Sequence, residues 1–165
     1  MEQILTTDKP SEHSSFVSHL ECSAVGDIYE ADRLHGLSAA GKPMLVRYDL
    51  PAVKASVTIK DIAKRPANIW RYRELLPIRR AENIVSLGET VTPLISVLSP
   101  YGTEILVKDE GRLPTGSFKA RGLCMAVSKA KELGVKVMAM PTNGNAGAAL
   151  AAYCARANID CYIFC

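Results

Sequence analysis

The last third of the chain constrains the fold more than any other part. Short apolar runs at 104–108, 135–140 and 159–165 alternate with two helical stretches. Between Ser117 and Leu133, apolar or small residues fall at 123, 126, 127, 130 and 133, the spacing of one helix face. Thr115 or Ser117 is placed to cap the start of that helix, and Gly134 suits a left-handed stop at its end. The stretch 148–157 is rich in alanine, which lets a helix approach a sheet closely, and Asn158 can terminate it. Strand, helix, strand, helix, strand at these spacings predicts an α/β fold: a parallel sheet with helices on both faces, its last run a buried strand. Ligands of such sheets collect beyond the carboxyl ends of the strands, in the loops that enter the helices. Two loops qualify, 109–119 and 141–147.

Upstream the pattern is less regular. Residues 44–48 read as a strand between the turn residues Gly41-Lys42-Pro43 and Asp49-Leu50-Pro51. Helical signals run from Thr58 to Leu76, broken at Pro66 and stopped by Pro77, with Trp70 and Tyr72 as packing anchors. Arg71, Arg73, Arg79 and Arg80 read as a solvated basic face, and a loop is expected between Gly88 and the strand at 104. Three segments result: an extended region 1–57, a helical and loop segment 58–100, and a βαβαβ unit 101–165.

At 165 residues, 48% hydrophobic and 22% charged, the chain can bury a core. Its net charge of +3 comes from interspersed residues, so the composition points to no nucleic-acid partner. No apolar run approaches a bilayer span, and residues 1–15 lack the apolar core and cleavage site of a secretory signal. Five cysteines without a CxxC pair read as reduced thiols of a cytoplasmic protein. His13, His19 and His35 have no spaced Cys or carboxylate partners, so no metal is expected.

Lys119 lies four positions before Leu123, in the first turn of its helix and on the stripe facing the sheet. The positive end of the helix dipole and partial burial both disfavour an ammonium there, as a nucleophilic amine requires; the bland alternative is a lysine that snorkels to solvent. In 142–147, either Asn143 or Asn145 caps the following helix, or exposed backbone N–H groups form a seat for a carboxylate or phosphate. Asp109 and Glu110 could act as acid or base, or could pair with Arg112 or Arg121. The loops carry neither GxGxxG nor a Walker pattern, and no Gly-x-Ser-x-Gly elbow occurs.

The segment Val107-Lys108-Asp109-Glu110-Gly111-Arg112-Leu113-Pro114-Thr115-Gly116-Ser117-Phe118-Lys119-Ala120-Arg121-Gly122 resembles the lysine segment of the threonine synthase family, fold-type-II pyridoxal-phosphate enzymes related to the tryptophan synthase β chain. Pro141-Thr142-Asn143-Gly144-Asn145-Ala146-Gly147 resembles that family's asparagine loop. Ser86-Leu87-Gly88-Glu89 with Thr92-Pro93-Leu94, the stretch 69–77 and the stretch 45–49 are similar to it in the same order. The resemblance implies that Lys119 forms a Schiff base with pyridoxal 5'-phosphate, that Asn145 bonds the phenolic oxygen of the ring, and that Phe118 packs beside it. Thr142, Asn143, Gly144 and Ala146 would seat the substrate carboxylate. The implied reaction converts O-phosphohomoserine and water to threonine and phosphate, in an enzyme that is a homo-oligomer when full-length.

The sequence also departs from this family. Several relatives carry paired CxxC motifs near the N-terminus, whereas here Val25 stands where the second cysteine after Cys22 would be, and Ser38-Ala39-Ala40-Gly41 holds no cysteine. The glycine-rich loop for the cofactor phosphate and the hydroxyl facing the ring nitrogen are expected beyond Cys165, so the chain reads as an N-terminal fragment not active alone. A non-catalytic truncated module, or a related lyase such as a threonine dehydratase or cysteate synthase, are the alternatives.

Overall fold

The computed structural model describes residues 15–165, so His13 lies outside the described residues. Among these residues, three small sheets and four α-helices make an α/β arrangement. The first sheet is antiparallel, in the order β2 (Ile28–Tyr29), β1 (Val17–Cys22), β3 (Met44–Tyr48). A two-pronged pair between Arg47 and Glu21, at 3.0 and 2.7 Å, crosses its exposed face. Cys22 Sγ lies 3.1 Å from Ser38 Oγ, and no group of three or more His, Cys, Asp or Glu among the described residues is placed to hold a metal.

Asp49-Leu50-Pro51 is more than turn punctuation. The Asp49 carboxylate accepts from the Ala52 N–H at 3.0 Å and starts helix α1 (Leu50–Ser56), with proline in the first turn where no N–H is needed. Thr58 and Asp61 form a reciprocal capping box on α2 (Ile59–Lys64), and a 3-10 stretch follows at Ile69–Leu75. Each of the four arginines has its own partner. Arg71 caps the end of α2 through the carbonyls of Ile62, Ala63 and Arg65; Arg73, Arg79 and Arg80 pair with Glu74, Asp32 and Glu82. Trp70 packs on the core as expected, whereas Tyr72 is exposed beside Arg71.

The expected loop after Pro93 contains a strand. β4 (Leu94–Leu98) pairs antiparallel with β5 (Glu104–Lys108), from Leu94↔Lys108 to Leu98↔Glu104. This hairpin straddles the expected boundary at 100/101 and takes β5 out of the predicted parallel sheet. Closing a short turn costs less chain entropy than pairing across a whole helix, so β5 bonds its nearest neighbour.

The remaining two strands pair only with each other among the described residues. β6 (Val137–Pro141) and β7 (Asp160–Phe164) are parallel and joined by helix α4 (Asn145–Ala157). Among the described residues, helices cover only one face of this pair. Met138, Met140, Cys161 and Ile163 pack on the core, while Val137, Tyr162 and Phe164 are exposed on the other side. The final strand is therefore half-exposed, because alternation along a strand sends every second residue to the uncovered face.

The core forms where helix α3 (Lys119–Glu132) packs along α4, burying Leu123, Cys124, Val127, Leu150, Tyr153 and Cys154. Each such aliphatic side chain contributes about 1.5–3 kcal/mol when fully buried. Gly134 has φ +75°, and the Val135 N–H reaches back to the Ala130 carbonyl, the left-handed stop that was predicted. Asn158 ends α4 in the same way at φ 55°. Lys129 of α3 bonds Asp32, in the turn that follows β2, at 2.7 Å and Glu132 of its own helix at 2.9 Å.

Candidate functional site

Lys119 is the first residue of α3, after a tight reversal. Thr115 and Gly116 take consecutive left-handed conformations, φ 66° and 70°, which turn the chain from Pro114 into α3. The N-cap is Phe118, and no side chain caps the helix. The predicted capping by Thr115 or Ser117 is thus not realised. The reversal and the extended backbone of Ser117 leave both hydroxyls buried, and neither makes a hydrogen bond among the described residues.

The Lys119 amine lies 4.5 Å from the centroid of the exposed Phe118 ring, a cation–π contact, and has no hydrogen-bond or ion-pair partner among the described residues. A cavity of about 420 Å³ beside it is lined by Glu110, Phe118, Lys119, Arg121, Gly122 and Leu123. Glu110 is spoken for. Arg121 grips it at 2.6 and 2.9 Å and Thr92 donates its hydroxyl, and the Arg121 bond, with Thr92 assisting, holds the carboxyl down at about 2. Asp109 pairs with Arg112 at 2.7 Å. Of the two readings for these acids, ion pairing is the one observed.

The second loop leaves β6 with a ladder bond, Thr142 N–H to the Phe164 carbonyl at 2.9 Å, and the Gly144 N–H then turns back to Thr142 Oγ1 at 3.3 Å. Gly144 is the N-cap of α4, again without a side-chain cap. Neither Asn143 nor Asn145 caps the helix; both are exposed, at a helix start without a side-chain cap. Gly147 explains the small residues here. A Cβ on it would stand 2.5 Å from Thr142 Cγ2 and 3.0 Å from Ile163 Cγ2, so the first turn of α4 rests directly on the loop and on β7.

Residues 142–146 are not part of the wall of the cavity beside Lys119. The two loops are joined through packing, since α3 lies along α4 and the turn Pro114–Gly116 packs against α4. A third segment joins them, and sequence reasoning treated it only as part of a motif. Glu89 is fully buried and accepts from Ser86 Oγ (2.6 Å), the Leu87 N–H (2.9 Å), Trp70 Nε1 (3.3 Å) and the Tyr153 hydroxyl. Burial alone would raise its pKa; the Ser86 and Tyr153 donors lead a set that outweighs burial and keeps it below the usual range. Burial, with the Glu89 charge adding to it, pushes the Tyr153 phenol up. The Ser-x-x-Glu spacing of 86–89 was the available signal, though it precedes no helix here.

These residues fit an aldehyde-bearing cofactor with a ring oxygen. Among the described residues, a lysine amine without a polar partner stands beside an aromatic ring, two buried hydroxyls near it lack partners, and an uncapped helix start presents exposed asparagines.

Comparison with known proteins gives the same direction. Residues 85–165 match the family model described as pyridoxal-phosphate dependent enzyme. The chain is 38% identical over 146 residues to a threonine synthase of Methanocaldococcus jannaschii, covering 86% of this chain and 36% of that protein. It is 45% identical over 102 residues to that of Halalkalibacterium halodurans (57% and 29% covered) and 36% identical over 146 residues to that of Methanosarcina acetivorans (86% and 35%). The chain thus spans about a third of the length of these relatives. No helix among the described residues is long and apolar enough to cross a membrane.

Proposed function

We propose that this chain, whose residues 85–165 are a segment of the pyridoxal-phosphate-dependent enzymes, carries the lysine and asparagine loops of a threonine synthase. The reaction converts O-phosphohomoserine and water to threonine and phosphate. The observation that carries this reading is the Lys119 amine, without a polar partner among the described residues, at the start of α3 and over the Phe118 ring, in a chain similar to threonine synthases over most of its length.

Pyridoxal phosphate, when bound, supplies an aldehyde and an electron-accepting ring. Lys119 would hold the group through its amine, and the same amine would carry protons at the substrate's α and β carbons. Phe118 would cover the ring, and Asn145 would donate to its phenolic oxygen. The uncapped amides around Gly144 and Ala146, with Thr142 and Asn143, hold the substrate carboxylate, an anion favoured at a helix start. Glu110 takes no proton in this scheme, because Arg121 keeps it ionised.

Borohydride reduction of the chain loaded with pyridoxal phosphate tests this assignment. The labelled peptide is expected to contain Lys119; Lys119→Ala should lose the label, and Asn145→Ala should keep it with weaker cofactor retention. A label on another lysine would overturn the reading. At the level of substrate, O-phosphohomoserine should release phosphate from the full-length enzyme and not from its Lys119→Ala variant.

A further inference from the structure

The cavity beside Lys119 is lined without residues 142–146, yet a short segment touches the supports of both loops. In residues 89–92, Glu89 points one way and bonds Tyr153 of α4. Thr92, buried, points the other way and donates to Glu110, which Arg121 in the first turn of α3 also grips. The Thr90 carbonyl between them accepts from Arg121 as well, at 3.3 Å. The segment is itself anchored from behind: Ile69 N–H bonds the Glu89 carbonyl at 3.3 Å, and Val91 N–H bonds the Ala67 carbonyl at 3.1 Å.

We infer that Glu89 and Thr92 are positioning residues, a strut that fixes the spacing between Lys119 and the 142–146 loop. The α4 side of the strut is mechanically tight. Tyr153 is fully buried and bonded to a fully buried carboxylate, so α4 can neither slide nor rotate without breaking that bond. At the other end of the helix, Gly147 has no room for a methyl group against Thr142, so any movement of α4 is passed to the loop. On the α3 side, the Glu110–Arg121–Thr92 bonds hold the first helical turn, where Lys119 sits. Neither Glu89 nor Thr92 lines the cavity beside Lys119, so their influence runs through Tyr153 and through Glu110.

As a statement about the geometry of the two loops, this holds for the chain by itself; its use in catalysis rests on the proposed function. Hydrogen exchange in the 165-residue chain separates the two. Tyr153→Phe removes one hydroxyl and Thr92→Val one hydroxyl, at opposite ends of the strut. Either change is expected to speed exchange about tenfold at both 119–122 and 145–148, with the β1–β3 sheet unchanged, and Thr92→Ser should restore the wild-type rates. Exchange that rises only at α4 for Tyr153→Phe and only at α3 for Thr92→Val would overturn the strut. Glu89→Gln should behave as Tyr153→Phe does; if it fails to fold, the two milder variants decide. With cofactor added, the same variants should retain pyridoxal phosphate about tenfold less tightly while borohydride still labels Lys119. Absence of label in the wild-type chain would sink the cofactor reading and leave the exchange result standing.

Discussion

The lysine loop and the asparagine loop both end at uncapped helices, but they are held by different forces. The lysine loop is fastened by ionised side chains: Glu110 with Arg121 and Thr92, and Asp109 with Arg112. The asparagine loop has almost no side-chain bonds. It is held by one ladder hydrogen bond, one turn bond to Thr142, and the close seat of Gly147. Charge-held geometry responds to pH and salt, whereas geometry held by contact responds to volume. A site built from both can keep one loop rigid while leaving the polar groups of the other free for a ligand.

The largest effect should come from volume. In an ordinary helix Gly→Ala gains up to about 1 kcal/mol. At Gly147 the new methyl would meet Thr142 Cγ2 at 2.5 Å and Ile163 Cγ2 at 3.0 Å, and overpacking of this kind costs about 1–3 kcal/mol. Gly147→Ala should therefore destabilise the chain by about 2 kcal/mol in urea titration. Adding Thr142→Ser deletes the nearer clash and should recover part of that loss. Equal stabilities for the single and double variants would show that the loop is not held by this contact.

What could be read from the sequence divides along a similar line. Helices α3 and α4 and their left-handed stops were legible because periodicity, Gly134 and Asn158 act within a few residues. The lysine and asparagine loops were legible as helix entries after strands. The hairpin strand β4 was not, because Leu94–Leu98 is exposed on both faces and shows no alternation. Glu89 was missed for a different reason. A glutamate in a turn-rich stretch reads as solvated, and its partner Tyr153 lies 64 residues away. The hydroxyls of Thr115 and Ser117 suggested caps, but the left-handed turn at Thr115, a conformation that β-branched residues rarely adopt, redirected them.

Charge should give the intermediate effect. Because Arg121 and Thr92 hold Glu110 down at about 2 in the folded chain, the unfolded chain binds the proton more readily. The stabilisation is therefore complete above the ordinary carboxylate range and is lost as pH falls through that range toward 2. Glu110→Gln should cost about 1.5 kcal/mol at neutral pH, the scale of a hydrogen bond to a charged group. Its penalty should shrink steadily between pH 5 and about 2, as measured by urea titration across that range. A penalty independent of pH would mean that shape, and not charge, fastens the lysine loop. Gly147→Ala is the internal control, since its cost should show no such dependence.

The smallest effect tests the one place where the lysine loop is held against its own preference. Thr115 sits at φ 66°, and a left-handed conformation costs a non-glycine residue about 1–2 kcal/mol. Its buried hydroxyl also lacks a partner among the described residues. Glycine would remove both penalties, while its greater freedom in the unfolded chain takes back about 0.5–1 kcal/mol. Thr115→Gly should thus stabilise the chain by about 1 kcal/mol, raising the thermal midpoint by roughly 3 °C for a chain of this size. The residue would then be strained for the sake of the turn that delivers Lys119, as strain at functional segments often is. A lowered midpoint would mean that the threonine methyl makes contacts worth more than the strain, and that this loop, like its partner, is held by fit.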